Sequence, residues 1–320
     1  MKEIILLMGM PASGKSTLVK SYENQGYYRL NRDDMGGSLD KLNQEMERLI
    51  AKGVTTFVLD NTYGNKKNRK EVLDIGQKHG FPVKCVWLKT SPEDAQFNAA
   101  SRIIRKDFAA CNNRSISDRL GPNMTKFVTG DGVVPAIAIF AYKKAFEKPT
   151  MAEGFSVIEE VEFVRVPFAG YNNSAIIFDY DDTLRKTKSG NKYPVDPSDI
   201  ELLPRRKEVV LALMKTGTLL LGVSNQSGVE KGDLTHKQAI ACFDKTNNLL
   251  DVDIDYCFCP HHSFPIRCYC RKPLGGLGVY FIHKYKLDPK LCLFIGDATS
   301  DKTFAYRCGF KYVEAEEFFK

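Results

Sequence analysis

The sequence predicts an α/β protein built as two doubly wound parallel-sheet domains. Three observations carry this. Apolar runs of strand length recur along the 320 residues, separated by amphipathic segments of helix length. One run in each half ends in a loop made of phosphate-handling residues. The chain is also long enough to bury two cores. Residues 2–8 form the first run and stop at a glycine loop, the pattern of a strand buried on both faces. Residues 16–24 read as the helix that starts at that loop. Residues 54–59 and 83–88 read as two more buried strands, with helices over 40–51 and 66–79. Residues 114–129, rich in Asn, Ser and Gly, read as an exposed loop or part of a lid. A small polar break at 168–173 then divides the chain into a domain over residues 1–168 and a domain over residues 174–320. In the second, residues 175–178, 219–223 and 291–295 read as strands and 312–313 as a short last one. Helices fill 205–215, 235–246 and 275–285. Sheets of this kind bind ligands at the carboxyl ends of their strands.

Composition sets the outer bounds. Hydrophobic content of 43% and charged content of 27% are ordinary for a soluble globular chain. No apolar run reaches the roughly 18 residues of a membrane span. The run at Ile4-Ile5-Leu6-Leu7 leads straight into the glycine loop, so it reads as a strand and not a signal peptide. These features predict an intracellular protein with no membrane partner. The net charge of +7 is compatible with an anionic polymer. Of nine cysteines, Cys257, Cys259, Cys268 and Cys270 cluster, which in a reducing compartment points to metal binding.

Gly9-Met10-Pro11-Ala12-Ser13-Gly14-Lys15-Ser16 has the G-x-x-x-x-G-K-S pattern, after a strand and before a helix. Gly9, Ala12, Ser13, Gly14 and Thr17 belong to a loop whose backbone N–H groups cradle phosphates. Lys15 can reach the terminal phosphates of ATP, and Ser16 can hold Mg²⁺. Leu30-Asn31-Arg32-Asp33-Asp34 falls at the expected end of the next strand. Transfer to an alcohol needs a carboxylate to take the hydroxyl proton, and Asp33 is the candidate base, with Asp34 the alternative or a helix cap. Asp60-Asn61-Thr62 ends another strand. It either positions the base, magnesium-bound water or the acceptor, or caps the helix that follows. Arg102 and Arg105, three apart on a helix, share a face and supply lid cations for the transition state. Lys66, Lys67, Arg69 and Lys70 are candidates for acceptor phosphates, or a solvated helix face.

With Phe146-Glu147-Lys148-Pro149-Thr150-Met151-Ala152-Glu153-Gly154-Phe155, these segments resemble the kinase domain of polynucleotide kinase-phosphatases over about residues 1–165. The last stretch is similar to the animal enzymes. The resemblance implies that the acceptor is the 5′-hydroxyl of DNA or RNA. It also implies Asp33 as base, Lys15 and Ser16 at phosphates and magnesium, and Arg102 on the lid. Phage-type relatives carry an arginine soon after the Asp-Asp pair, whereas this chain has Met35-Gly36-Gly37.

In the second half, Asp179-Tyr180-Asp181-Asp182-Thr183 at a strand end resembles the nucleophile loop of haloacid dehalogenase (HAD)-type phosphatases. The resemblance implies that Asp179 attacks phosphorus and that Asp181 protonates the leaving oxygen and then activates water. Ser224 follows for hydrogen bonding to phosphate, then Lys272 for charge balance. Asp297 completes a Mg²⁺ site with Asp179 and the backbone of Asp181. Asp301 joins through water or orients Lys272. Asp182 stands where glycine is commoner. Cys259-Pro260-His261 and Cys268-Tyr269-Cys270 supply three thiolates and an imidazole, a set suited to structural Zn²⁺, with His262 as the alternative to His261. This resembles the zinc loop of histidinol-phosphate and heptose-bisphosphate phosphatases. Fewer than about 50 residues separate Asp179 from Ser224 and Ser224 from Lys272, so the site is expected to be uncapped and open to a polymer end.

The sequence therefore implies a bifunctional end-healing enzyme. It would phosphorylate 5′-OH ends with ATP and hydrolyse 3′-phosphate ends of DNA or RNA in strand-break repair, with a ligase as its partner. The alternative is a small-metabolite kinase fused to a histidinol-phosphate-like or sugar-phosphate phosphatase.

Overall fold

The computed structural model describes residues 2–110, 134–266 and 268–320, and for 107–110 the backbone alone. The lid segment expected over residues 114–129 lies outside them. The chain divides into two units, one of Met1–Asn98 with Ile137–Arg165 and the other of Ala99–Ala136 with Val166–Lys320.

In the first unit, five strands run parallel in the order β2-β3-β1-β4-β5. They are β1 Glu3–Met8, β2 Tyr28–Leu30, β3 Thr56–Asp60, β4 Val83–Leu88 and β5 Val157–Val161. β1 pairs with β3 and β4, Leu6 facing Leu59 on one side and Cys85 on the other. Its side chains from Ile4 to Met8 are buried, as a central strand of a doubly covered sheet requires. Four helices of this unit are α1 Lys15–Asn24, α2 Arg32–Met35, α3 Leu39–Ala51 and α4 Lys66–His79. Ser38 caps α3 and Asn65 caps α4, each accepting a backbone N–H three residues on. Leu42, Met46 and Leu49 recur every three to four residues and bury one face of α3. α5 Pro92–Ala110 follows β4, and α6 Ala136–Ala145 leads back to β5. The sequence did not reveal β5. Its Val-Ile-Glu-Glu-Val is an edge strand with mostly exposed side chains, so it lacks the apolar run of a central strand.

The second unit repeats the architecture with β10-β9-β6-β11-β12, again all parallel. Here β6 is Ile176–Phe178, β9 Leu220–Asn225, β10 Asp255–Cys259, β11 Leu293–Gly296 and β12 Lys311–Glu314. Between them, β7 Arg185–Thr187 and β8 Ile200–Leu202 form a two-stranded antiparallel ribbon. The helices are α7 Arg206–Lys215, α8 Gly228–Lys231, α9 His236–Leu250, α10 Gly276–Tyr285, α11 Thr299–Cys308 and α12 Ala315–Phe318. Phe243 on α9 stacks on Tyr256 and Phe258 of β10, with ring centroids 4.6 and 5.3 Å apart. Each such ring contributes about 1.5–3 kcal/mol by burial. Both sheets thus place the strand leading into a phosphate-handling loop, β1 or β6, at their centre.

Candidate active sites

The loop after β1 turns into α1 through Gly14, whose φ of 96° lies in the left-handed region that a side chain would strain. Lys15 opens the helix and is buried, its Nζ donating to the carbonyl oxygens of Gly9 (2.8 Å) and Met10 (2.9 Å). Those carbonyls hold the ammonium where phosphate oxygens can replace them. Two groups from beyond β4 brace the loop: Thr90 Oγ1 donates to the Ser13 carbonyl (2.8 Å), and Asn98 Nδ2 to that of Ala12 (3.0 Å). Ser16 and Thr17 are exposed on the first turn of α1.

Asp33 lies on α2, 84% exposed. Asn31 fixes its approach. The Asn31 Oδ1 accepts the Asp33 N–H (2.7 Å), and its Nδ2 donates to the carbonyl and carboxylate of Asp60 (2.8 and 3.0 Å). Arg29 ties Asp60 to Asp34, with 2.8 and 2.7 Å ion pairs. Asp60 is therefore the buried anchor of the segment carrying Asp33. It does not cap α4, since Asn65 does. Of the acceptor-phosphate candidates, Arg69 is corrected. It is fully buried in a bidentate pair with Glu153 (2.8 and 2.9 Å) and donates to the carbonyls of Tyr63 and Glu147 (3.1 and 3.0 Å). Arg69 thus clamps the 146–155 segment to α4 and has no capacity left for an acceptor. Lys70 pairs with Asp74 at the surface. Arg102 and Arg105 are exposed on α5, and among the described residues no hydrogen bond or ion pair joins Arg102 to the phosphate loop.

The second site is far more closely knit. Lys272 is 2% exposed, and its Nζ lies 2.8 Å from Asp179 Oδ1 and 2.7 Å from Asp301 Oδ1. It also donates to the Val223 carbonyl (3.2 Å). Asn225 locks the lysine's backbone, accepting its N–H (2.9 Å) and donating to its carbonyl (3.0 Å). Burial pushes the Asp179 carboxyl up to about 7; Lys272 opposes that rise, and the Asp301 and Asp181 charges add to it. Burial and the charges of Asp301 and Asp182 also raise Asp297, which accepts from Thr183 Oγ1 (3.2 Å). One oxygen each of Asp179, Asp297 and Asp301 lie within 4.8 Å of one another. Three carboxylates facing one lysine leave negative charge that suits a hard divalent cation. The sequence places Asp181 among the metal ligands through its backbone. Its carboxylate is held by Arg185 Nε (2.8 Å) and Gln226 Nε2 (2.7 Å), which leaves the backbone for that role. Gln226 also donates to Ser224 Oγ (3.1 Å).

Arg185 and Gln226 are candidate-site residues that sequence reasoning missed. Arg185 stands four residues after Asp181, and that spacing was the available signal. It is fully buried, donating also to Cys242 O and Thr246 Oγ1 (2.7 and 2.9 Å).

A second cluster lies at the end of β10 and in the loop after it. Cys259 Sγ is 3.3 Å from Cys270 Sγ and 3.8 Å from Cys268 Sγ, and His261 Nδ1 is 3.4 and 3.3 Å from Cys259 and Cys270. A tetrahedral centre with metal–sulfur bonds of about 2.3 Å has edges near 3.8 Å, so the four donors fit one metal ion. His262 is half-buried, its N–H directed at Glu230, and is not part of the cluster. Cys257 is buried two residues back on β10, also outside it.

Comparison with known proteins follows the same division. Residues 4–111 match the family model described as AAA domain, and residues 174–319 the one described as Polynucleotide kinase 3 phosphatase. A bifunctional polynucleotide phosphatase/kinase of Schizosaccharomyces pombe is 33% identical over 163 residues, covering 51% of this chain and 34% of that protein. The match thus spans about a third of that enzyme's length. A D-glycero-beta-D-manno-heptose-1,7-bisphosphate 7-phosphatase of Haemophilus influenzae is 31% identical over 138 residues, covering 40% of this chain and 73% of that protein. Among solved structures, the D,D-heptose 1.7-bisphosphate phosphatase from B. bronchiseptica, complexed with magnesium and phosphate, is 23% identical with a TM-score of 0.40. It covers 44% of this chain and 78% of its own. No described helix is long and apolar enough to cross a membrane.

Proposed function

We propose that the chain heals nucleic-acid ends, a reading supported by the match of residues 174–319 to the family model described as Polynucleotide kinase 3 phosphatase and of residues 4–111 to the one described as AAA domain. Residues 1–168 would phosphorylate 5′-hydroxyls with ATP, and residues 174–320 would hydrolyse 3′-phosphates. The observation that carries this reading is the presence, in one chain, of a phosphate loop with its buried lysine and the Asp179–Lys272–Asp301 centre.

In the kinase domain, Lys15 and the loop N–H groups would hold the ATP phosphates, with Ser16 as the Mg²⁺ ligand. Asp33, positioned by Asn31 and Asp60, would accept the proton of the attacking 5′-hydroxyl, and Arg102 would supply lid charge. In the phosphatase domain, the Asp179 carboxylate would attack phosphorus while Asp181 gives a proton to the departing 3′-oxygen. Asp181 would then take a proton from water, which displaces phosphate from Asp179. Arg185 and Gln226 hold Asp181 for both transfers, and Lys272 and Ser224 bind the phosphate oxygens. Asp179, Asp297 and the backbone of Asp181 would hold Mg²⁺, which when bound supplies charge neutralisation and keeps Asp179 ionised. Cys259, His261, Cys268 and Cys270 would hold a structural Zn²⁺, pinning the loop whose last ligand stands two residues before Lys272.

A ligase would act on the healed ends. The test is transfer of labelled phosphate from ATP to a 5′-OH oligonucleotide, together with release of phosphate from a 3′-phosphate oligonucleotide. The second reading, a metabolite kinase fused to a sugar-phosphate phosphatase, is favoured by the heptose-bisphosphate enzyme that this chain covers over 73% of its length. It predicts hydrolysis of a heptose bisphosphate and no reaction at either oligonucleotide end.

A further inference from the structure

Where the phosphate loop leaves β1, it borders a cavity of about 290 Å³ that no step above uses. That is near the lower end of the size of small-molecule sites, roughly 300 Å³. Met10, next to the loop's first glycine, forms one wall, and Thr90, which braces Ser13, forms another. The remaining walls include three rings. Trp87 at the end of β4 packs on Phe146, with centroids 5.3 Å apart, and Phe146 on Tyr142 at 5.9 Å. The cavity therefore adjoins the loop that would hold phosphates, and its three mutually tilted rings share the walls with the polar Lys89, Thr90 and Lys143.

Two details separate it from a packing void. The Tyr142 hydroxyl is buried and has no hydrogen-bond partner among the described residues, a state that is rare in native proteins and calls for a cause such as a ligand. Its ring is fixed, because it lies against Gly64, where a Cβ would come within 2.7 Å of it. The indole is held as well. Lys89 and Lys148 approach the Trp87 ring at 5.9 and 5.8 Å, and both pair with Glu160. Those lysines are thus engaged in placing the ring and are not waiting for an anion.

An aromatic wall with one hydroxyl lacking a partner among the described residues matches a ligand that stacks and carries ring-edge donors or acceptors. We propose that this cavity is a nucleobase subsite, with Trp87 as stacking platform and the Tyr142 hydroxyl as contact to the base edge. This rests on the reading of the first domain as a polynucleotide kinase. The base comes either from the donor triphosphate or from the terminal nucleotide of the acceptor strand.

Trp87 is the only tryptophan in the chain, so its fluorescence in the intact protein reports on the cavity alone. Titration with ATP and with inorganic tripolyphosphate forms one arm. Titration with a 5′-OH oligonucleotide and with an abasic oligomer of equal length forms the other. Quenching by ATP but not tripolyphosphate assigns the donor base, and quenching by the oligonucleotide but not the abasic oligomer assigns the acceptor base. Trp87→Leu should raise KM for that ligand about tenfold or more, the loss of one stack, and Trp87→Phe should restore most of it. Tyr142→Phe, which keeps the ring, should raise the same KM severalfold. If the protein labels 5′-ends while Trp87 responds to no base, or equally to the base-free ligands, the proposal is wrong. If bases quench Trp87 but no 5′-hydroxyl is labelled, the kinase reading fails and the nucleobase assignment stands.

Discussion

The two phosphate sites are built on opposite plans. In the first, the groups expected to act are kept apart: Lys15 is folded back on its own loop, and Asp33 stands 84% exposed on a four-residue helix. In the second, the groups expected to react already touch. Lys272 bridges Asp179 and Asp301, and Asp181 is fixed from two sides by Arg185 and Gln226. On the proposed function the first site would gain its geometry from its ligands, whereas the second is preorganised around buried charge. Substitutions should therefore act locally and differently in the two.

The largest expected effect is at the preorganised centre. Asp179→Asn removes the proposed nucleophile and should lower 3′-phosphatase activity by about 10⁴-fold or more while leaving 5′-phosphorylation intact. At the other site, Lys15→Ala or Asp33→Ala should lower kinase activity by roughly 10²–10⁴-fold and spare the phosphatase. Steady-state rates of the two reactions, measured on each variant, check both statements. Loss of both activities in a folded variant would break the comparison.

Metal removal sharpens it. Stripping the Cys259–His261–Cys268–Cys270 cluster with a chelator should abolish phosphatase activity by releasing the loop that leads to Lys272, and kinase activity should persist once Mg²⁺ is restored. Zinc content and both rates, followed together, decide this. A structural substitution comes next. Arg69→Met leaves Glu153 without its partner and should cost the first unit about 3–5 kcal/mol in denaturant unfolding, with little change in the phosphatase centre.

The smallest effect concerns pH. Within the second unit, His283 lies 2.7 Å from Ser101 Oγ and 3.0 Å from the Tyr171 hydroxyl. Burial, aided by the Arg105 charge, holds it down to about 4. The unfolded chain then binds the proton more readily than the folded one. The stability His283 contributes is complete above its ordinary value near 6.5 and is lost as pH falls from there toward 4. His283→Gln should flatten the dependence of Tm on pH across that window.

Much of this was legible in the sequence because phosphate chemistry demands fixed residue types at strand ends. Lys15, Asp179, Ser224 and Asp297 stand where the motifs place them, at the carboxyl ends of inner strands or just beyond, and Lys272 lies in the long loop after the edge strand β10. The strands themselves were legible when both faces are buried, as in β1 and β4. β5 was not, because its outer side is solvated, and neither was β10, whose Asp-Tyr-Cys-Phe-Cys mixes polar, aromatic and thiol side chains. Arg69 misled because a basic residue among surface lysines looks like an anion ligand. Only the distant Glu153 shows it to be a clamp. Arg185 and Gln226 were hidden for a related reason, since their roles arise from contacts that no local pattern states.

The most direct test of the account follows the mass and ligatability of one oligonucleotide bearing a 5′-hydroxyl and a 3′-phosphate, incubated with ATP and Mg²⁺. The wild-type product should keep the starting mass yet become ligatable, having gained one phosphoryl group and lost another. With Lys15→Ala it should be lighter by one phosphoryl group, and with Asp179→Asn heavier by one. An oligonucleotide left untouched by the wild-type protein, or a single substitution that stops both changes in a folded chain, would contradict two separate sites serving the two ends of one strand.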